Sequence, residues 1–178
     1  MIIDDTYYVG ELTIAQLSDE FVAENFNSMA KKLEREYLEK MFGRSFADDF
    51  LIGIEQNPIE QKWADLLNGV SGKWRGFKNN LKISPLANYV YFYYNFDLYS
   101  FSVGTGEVIP ENENSRRYFN YSKLCKIWND MVDMNYELSK FLNENYKTYN
   151  IYHSSSCGAI TNELFEYKNS LQTVRKSL

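Results

Sequence analysis

Val22, Phe26, Met29, Leu33, Tyr37 and Met41 recur at steps of three and four residues, which places them on one face of a helix. Ser18 and Asp19 offer cap oxygens at its start, and Gly43 fits its C-terminal stop. "SFADDFLIGIEQ" predicts a second, shorter helix. Asn57-Pro58 predicts the start of a third, because proline at the first helical position loses no useful N–H. Ile59, Trp63, Leu66 and Leu67 line that helix, and Asn68-Gly69 stops it. Ser84-Pro85 repeats the cap-and-proline start. An aromatic helix follows to about Phe101, with Leu86, Tyr89, Val90 and Tyr93 on one stripe. The longest helix carries Leu124, Ile127, Trp128, Met131, Met134, Leu138, Phe141 and Leu142, with Asn120 or Ser122 as its cap.

The remaining stretches read differently. "GELTIAQLS" alternates Leu12, Ile14 and Leu17 with polar neighbours, the mark of a short strand or an extended arm. "VSGKWRGFKNNLKI" is a connector. "SFSVGTGEVIPENENSRRY" is a loop with an apolar tip between two long helices. From Lys147 onward the pattern is weak, apart from the amphipathic "NELFEYKNSLQTV", a docking helix or a strand. The simplest organisation is one mainly α domain over residues 1–178. It has an N-terminal arm at 1–17, a helical core at 18–146 with a loop at 102–117, and a C-terminal tail at 147–178.

Composition narrows the function. The chain has 178 residues, 44% of them hydrophobic and 17% aromatic, enough for a core with apolar surface left for an interface. A net charge of -5 argues against a general nucleic-acid binder, which needs a basic face. Cys125 and Cys157 form no CxxC pair, and the single His153 cannot complete a histidine metal site. A reduced, intracellular, metal-free protein is expected. "MIIDDTYYVGEL" has no basic region of the signal-peptide kind. "PLANYVYFYYNFDLYSF" is interrupted by Asn88, Asn95 and Asp97 and is too polar to span a bilayer.

The candidate chemistry is thin. Gly104-Thr105-Gly106 lacks the third glycine of a dinucleotide loop and the Gly-Lys-Ser/Thr ending of a P-loop, and a helix precedes it. Glycines suited to a turn, followed by an extended apolar tip, fit "VGTGEVIP" better. Asp130, Asp133 and Glu137 form one acidic stripe that reads as a solvated helix face, as do Asp48-Asp49, Glu34 and Glu36. Cys125 has no helical histidine neighbour to activate it. Ser154-Ser155-Ser156 beside His153 lacks a carboxylate close by. "KWRGFK" interleaves base and aromatic as single-strand binders do, but it is short, and Trp74 fits an anchor to the core with Arg75 at its edge. Arg116-Arg117 suits pairing with acidic residues of a partner as well as it suits solvent. No constellation supports an enzyme, and no cofactor is expected.

"NPIEQKWADLLNG", "KWRGFKNNLKISPLANYVYFYYN", "SVGTGEVIPENEN" and "YSKLCKIWNDMVDMNYELSKFL", in that order, resemble the head–tail connector (adaptor) proteins of tailed bacteriophages of Bacteroides-type hosts. The resemblance covers roughly residues 8 to 146 and contains no catalytic signature. It implies a small helical bundle with an extended loop or hairpin between helices. It implies a ring of about twelve copies under the portal protein, following the portal's symmetry. Such a ring extends the DNA channel without specific DNA binding and docks the next neck or tail protein. The protein would sit at the head–tail interface of the virion, and in host cytoplasm before assembly. Val103, Gly104, Gly106, Val108, Ile109 and Pro110 would form the contact tip. Asp130, Asp133 and Glu137 could face the channel. The alternative is a monomeric cytosolic protein-binding module whose loop clasps one partner.

Overall fold

A computed structural model of the chain describes residues 1–99, 101–103, 106–108 and 121–149. Its helices are α1 (Glu20–Phe42), α2 (Arg44–Glu55), α3 (Gln61–Asn68), α4 (Pro85–Tyr99), α5 (Tyr121–Glu144) and the short α6 (Tyr146–Tyr149). Between α4 and α5, strand β1 (Phe101–Val103) pairs antiparallel with β2 (Gly106–Val108). The result is a small, mainly helical bundle with a hairpin between its last two long helices. His153, Cys157, the serine run and "NELFEYKNSLQTV" lie outside the described residues.

The start and stop signals act largely as their chemistry dictates. The Asp19 carboxylate accepts from the Val22 N–H at 3.1 Å and caps α1. Gly43 closes α1 with a φ of 81° and leads directly into α2. Two expectations fail. Asn57-Pro58 does not start α3: that peptide bond is cis, and the helix begins at Gln61 after Glu60. Ile59 therefore precedes the helix and is exposed rather than lining it. Ser84 does precede α4, but its hydroxyl finds no hydrogen-bond partner among the described residues, so it does not cap through its side chain.

The apolar stripe of α5 is the inner face of the bundle: all eight of its predicted positions are buried. On α1, Phe26, Leu33, Tyr37 and Met41 are buried, while Val22 and Met29 at the rim are half-buried. The stripe on α4 was too narrow. Leu86, Ala87, Tyr89, Val90, Tyr91 and Phe92 are all buried, because α4 packs against α1 on one side and α5 on the other. A helix enclosed in this way is apolar around most of its girth. Its one buried amide, Asn88, donates to the Ile127 carbonyl at 3.0 Å. The Lys123 ammonium donates to the Tyr91 hydroxyl at 2.7 Å. Residues 88 and 91 thus meet 127 and 123, so α4 and α5 run antiparallel. Trp128 seals the seam against the rings of Phe92 and Tyr93, at centroid distances of 4.7 and 6.3 Å.

A second aromatic cluster joins α2, α3 and α6. The Trp63 ring lies against Phe46 at 5.4 Å and Phe50 at 5.8 Å. Gly53 of α2 lets that ring close on the helix backbone, since a Cβ there would come within 2.2 Å of it. The Tyr149 hydroxyl donates to the Lys62 carbonyl at 2.9 Å. Residues 147–149, assigned by pattern to the tail, therefore belong to a docked helical turn.

Residues 1–17 also differ from the expected strand or extended arm. They lie on the bundle through two turns of 3-10 helix, Asp5–Tyr7 and Gly10–Leu12. Ile2, Ile3, Tyr7, Tyr8 and Ile14 are buried there. The anchor is Glu34, which was expected on a solvated face and is instead 3% exposed. Its carboxylate accepts the Ile2 N–H at 2.7 Å and the Ile3 N–H at 3.0 Å. Burial holds its pKa above the ordinary carboxylate value, against the opposing pull of those two N–H groups and the N-terminal charge.

Candidate interaction surface

The connector between α3 and α4 shapes the main surface feature. Trp74 is 2% exposed, and its indole N–H donates to the Leu66 carbonyl at 2.9 Å. That pins the middle of the connector to α3, as a core anchor would. Its neighbour Arg75 turns outward to α5, where its guanidinium grips the Glu137 carboxylate with two hydrogen bonds, one of them 2.8 Å. Further on, Asn79 donates its backbone N–H to the Tyr7 hydroxyl at 2.7 Å, tying the connector to the N-terminal arm.

Between arm, connector and α5 lies an open groove made of two hollows. The first, of about 460 Å³, is bounded by Val9 and Glu11 of the arm, Leu81 and Ile83 of the connector, and Asp130 and Asp133 of α5. The second, of about 720 Å³, is bounded by Val70, Lys73 and Trp74 and by Glu137 and Lys140 of α5. Arg75, Leu81 and Ile83 border both hollows, so they are neighbouring parts of one groove. Three aliphatic side chains stand open along it: Leu81 is 78% exposed, Val9 61% and Ile83 44%. Single exposed aliphatics are ordinary, but three around one concavity are the composition of a docking surface.

Charge divides the groove. At the first hollow Asp130 and Asp133 form no ion pair among the described residues, and Glu11 beside them holds the Lys126 ammonium at 2.7 Å. Partial burial pushes the Asp130 carboxyl upward, Lys126 pulls it down, and Glu11 and Asp133 push it up again. At the second hollow Lys73 and Lys140 line the wall and form no ion pair among the described residues either. Arg75 and Lys82 also line the first hollow, but Arg75 is held by Glu137 and the Lys82 ammonium lies 3.8 Å from the Asp4 carboxylate. Among the described residues, the charges left without an ion pair are therefore acidic at this end of the groove and basic at the other.

The acidic stripe is split by this arrangement. Asp130 and Asp133 are exposed on the groove's rim, as the pattern predicts, but Glu137 is half-buried and held by Arg75. Of the loop-tip residues, Val103 ends β1, Gly106 begins β2 and Val108 ends it. Gly104, Ile109, Pro110 and Arg116-Arg117 lie outside the described residues. The hairpin bears on the phosphate question: Gly106 opens a strand, whereas a phosphate loop leads into a helix N-terminus. Cys125 is half-buried. Among the described residues no group of three or more His, Cys, Asp or Glu side chains could hold a metal ion, and no helix is long and apolar enough to cross a membrane.

Pattern reading missed Val9, Leu81 and Ile83. They belong to short irregular segments far apart in sequence, where no periodicity marks a shared face. Comparison of the chain with protein families, with curated proteins and with solved structures finds no match.

Proposed function

We propose that this chain is a head–tail connector of a tailed bacteriophage. It assembles as a ring beneath the portal, extends the DNA channel and docks the next neck or tail protein. The observation that carries this reading is the hairpin Phe101–Val108 between two long, mutually packed helices. The sequence patterns quoted above for the connector resemblance, and the exposed aliphatic side chains along the groove, would supply its contact surfaces. DNA passes such a ring without being gripped, and a net charge of -5 suits that.

The hairpin and its apolar continuation Val108-Ile109-Pro110 act as the assembly element. Each fully buried aliphatic side chain contributes about 1.5–3 kcal/mol, less the cost of association. Closure of a ring repeats the contact and makes a modest interface sufficient. The doubly substituted chain Val108→Asp/Ile109→Asp is expected to lose at least about tenfold in capture by a portal ring, with its melting temperature unchanged. Capture equal to that of the parent chain would remove the hairpin from the assembly.

The alternative function, a monomeric protein-binding module, is favoured by the groove, since a concave apolar surface with a charged rim also fits a single partner segment. Mass measurement separates the two readings.

A further inference from the structure

We propose that the two-part groove receives the loop of a second copy of this chain. Val108-Ile109-Pro110 enter the wider, basic hollow, and Arg116-Arg117 lie across Asp130 and Asp133 at the acidic one. This deepens the connector reading and rests on it for its biological setting.

Charge order supplies the first argument. The loop runs from an apolar tip through Glu111 and Glu113 to Arg116-Arg117. The groove runs from aliphatic Val70, flanked by Lys73 and Lys140, across the Leu81–Ile83 ridge to Asp130 and Asp133. The loop's glutamates therefore fall toward the lysines while its arginines fall on the open carboxylates. The lengths agree as well. Asp130 and Lys140 are ten helical residues apart, about 15 Å at the α-helical rise. Pro110 and Arg116 are six residues apart, a span of at most about 20 Å, long enough to bridge that distance.

The second argument decides between the chain's own loop and a neighbour's. The contacts of Asn88 with Ile127 and of Lys123 with Tyr91 set α4 and α5 antiparallel. The C-terminal end of α4 therefore lies at the Tyr121 end of α5. Val108 pairs with Phe101, two residues beyond that end of α4. Lys140 is nineteen residues along α5 from Tyr121, about 28 Å away. Ile109 and Pro110 immediately follow β2 and add at most about 7 Å of reach. The tip cannot enter the basic hollow of its own subunit; it reaches that hollow only on another copy. Donor and acceptor thus sit toward opposite ends of one molecule, so the contact joins two different patches, as a head-to-tail ring requires.

The test uses the purified full chain alone, with photoreactive p-benzoylphenylalanine in place of Asn112. The expected product is a covalent dimer whose linked peptides join the loop to residues 70–83 or 130–140. Two variants carry the charge argument: Arg116→Asp/Arg117→Asp on the loop and Asp130→Lys/Asp133→Lys on the groove. Both carboxylates are exposed, so the groove variant is expected to melt with the parent. Each variant alone should lose at least about tenfold in dimer yield, and an equimolar mixture should recover most of it. Linkage within one copy, linkage to another surface, no linkage, or no recovery in the mixture overturns the proposal. The connector reading is tested separately by portal capture. A recovered mixture without capture leaves the groove standing and removes the connector, and capture without loop–groove linkage does the reverse.

Discussion

Gly76→Ala is expected to destabilise the fold by about 3 kcal/mol or more, the sum of a strained backbone and a backbone collision. Gly76 has a φ of 84°, in the left-handed region where a side chain is strained. A Cβ there would also lie 2.4 Å from the Asn68 carbonyl carbon and 2.5 Å from the Gly69 nitrogen. Its counterpart Gly69, with a φ of 88°, leans on Trp74 and Arg75 in return, so two glycine-bearing stretches of main chain press on one another. Main chain cannot swing aside as the end of a lysine can. The contact closes the turn that brings Trp74 under α3 and Arg75 to α5, so the variant should also loosen the groove. Urea unfolding of parent and variant checks the magnitude. Gly72→Ala is the control: it shares a positive φ of 73° but has nothing within 4 Å of the added carbon, so it should cost less.

Glu34→Gln is expected to cost about 1–3 kcal/mol. The carboxylate accepts one backbone N–H on each oxygen, and an amide keeps only one of those acceptors. The pH dependence is distinctive. Burial raises the folded pKa of Glu34 above the ordinary value of 4.5, so the folded chain holds this proton more firmly than the unfolded chain. The stability contributed by that proton is present in full below the unfolded value and is lost as pH rises through the folded one. Glutamine has no such titration. The gap between parent and variant should therefore be widest on the acid side of 4.5 and narrow toward neutrality. A constant gap across denaturant titrations in that range would mean that Glu34 does not titrate as its burial requires.

These two positions show what the sequence disclosed and what it withheld. The core faces of α1 and α5 were legible because Phe26, Leu33, Tyr37 and the run from Leu124 to Leu142 repeat at the helical period, and one buried face produces that repeat. Glu34 sits between Leu33 and Arg35. A polar residue there reads as exposed unless the path of residues 1–3 over α1 is known. The glycines of "WADLLNG" and "KWRG" were visible as turn formers, but their mutual contact depends on how the connector doubles back. The start of α3 falls at Gln61 rather than Pro58, because Asn-Pro suits a turn as well as a helix start. The groove was invisible for the same reason as the Glu34 contact: it joins Val9, Leu81 and Asp130 from three segments that no local rule connects.

The ring is the central claim, and native mass spectrometry of the purified chain over a wide concentration range tests it most directly. The account predicts one closed oligomer of about twelve copies of the 21.0 kDa chain, with no larger species above it. A monomer at every concentration, or an open-ended ladder of sizes, would contradict it.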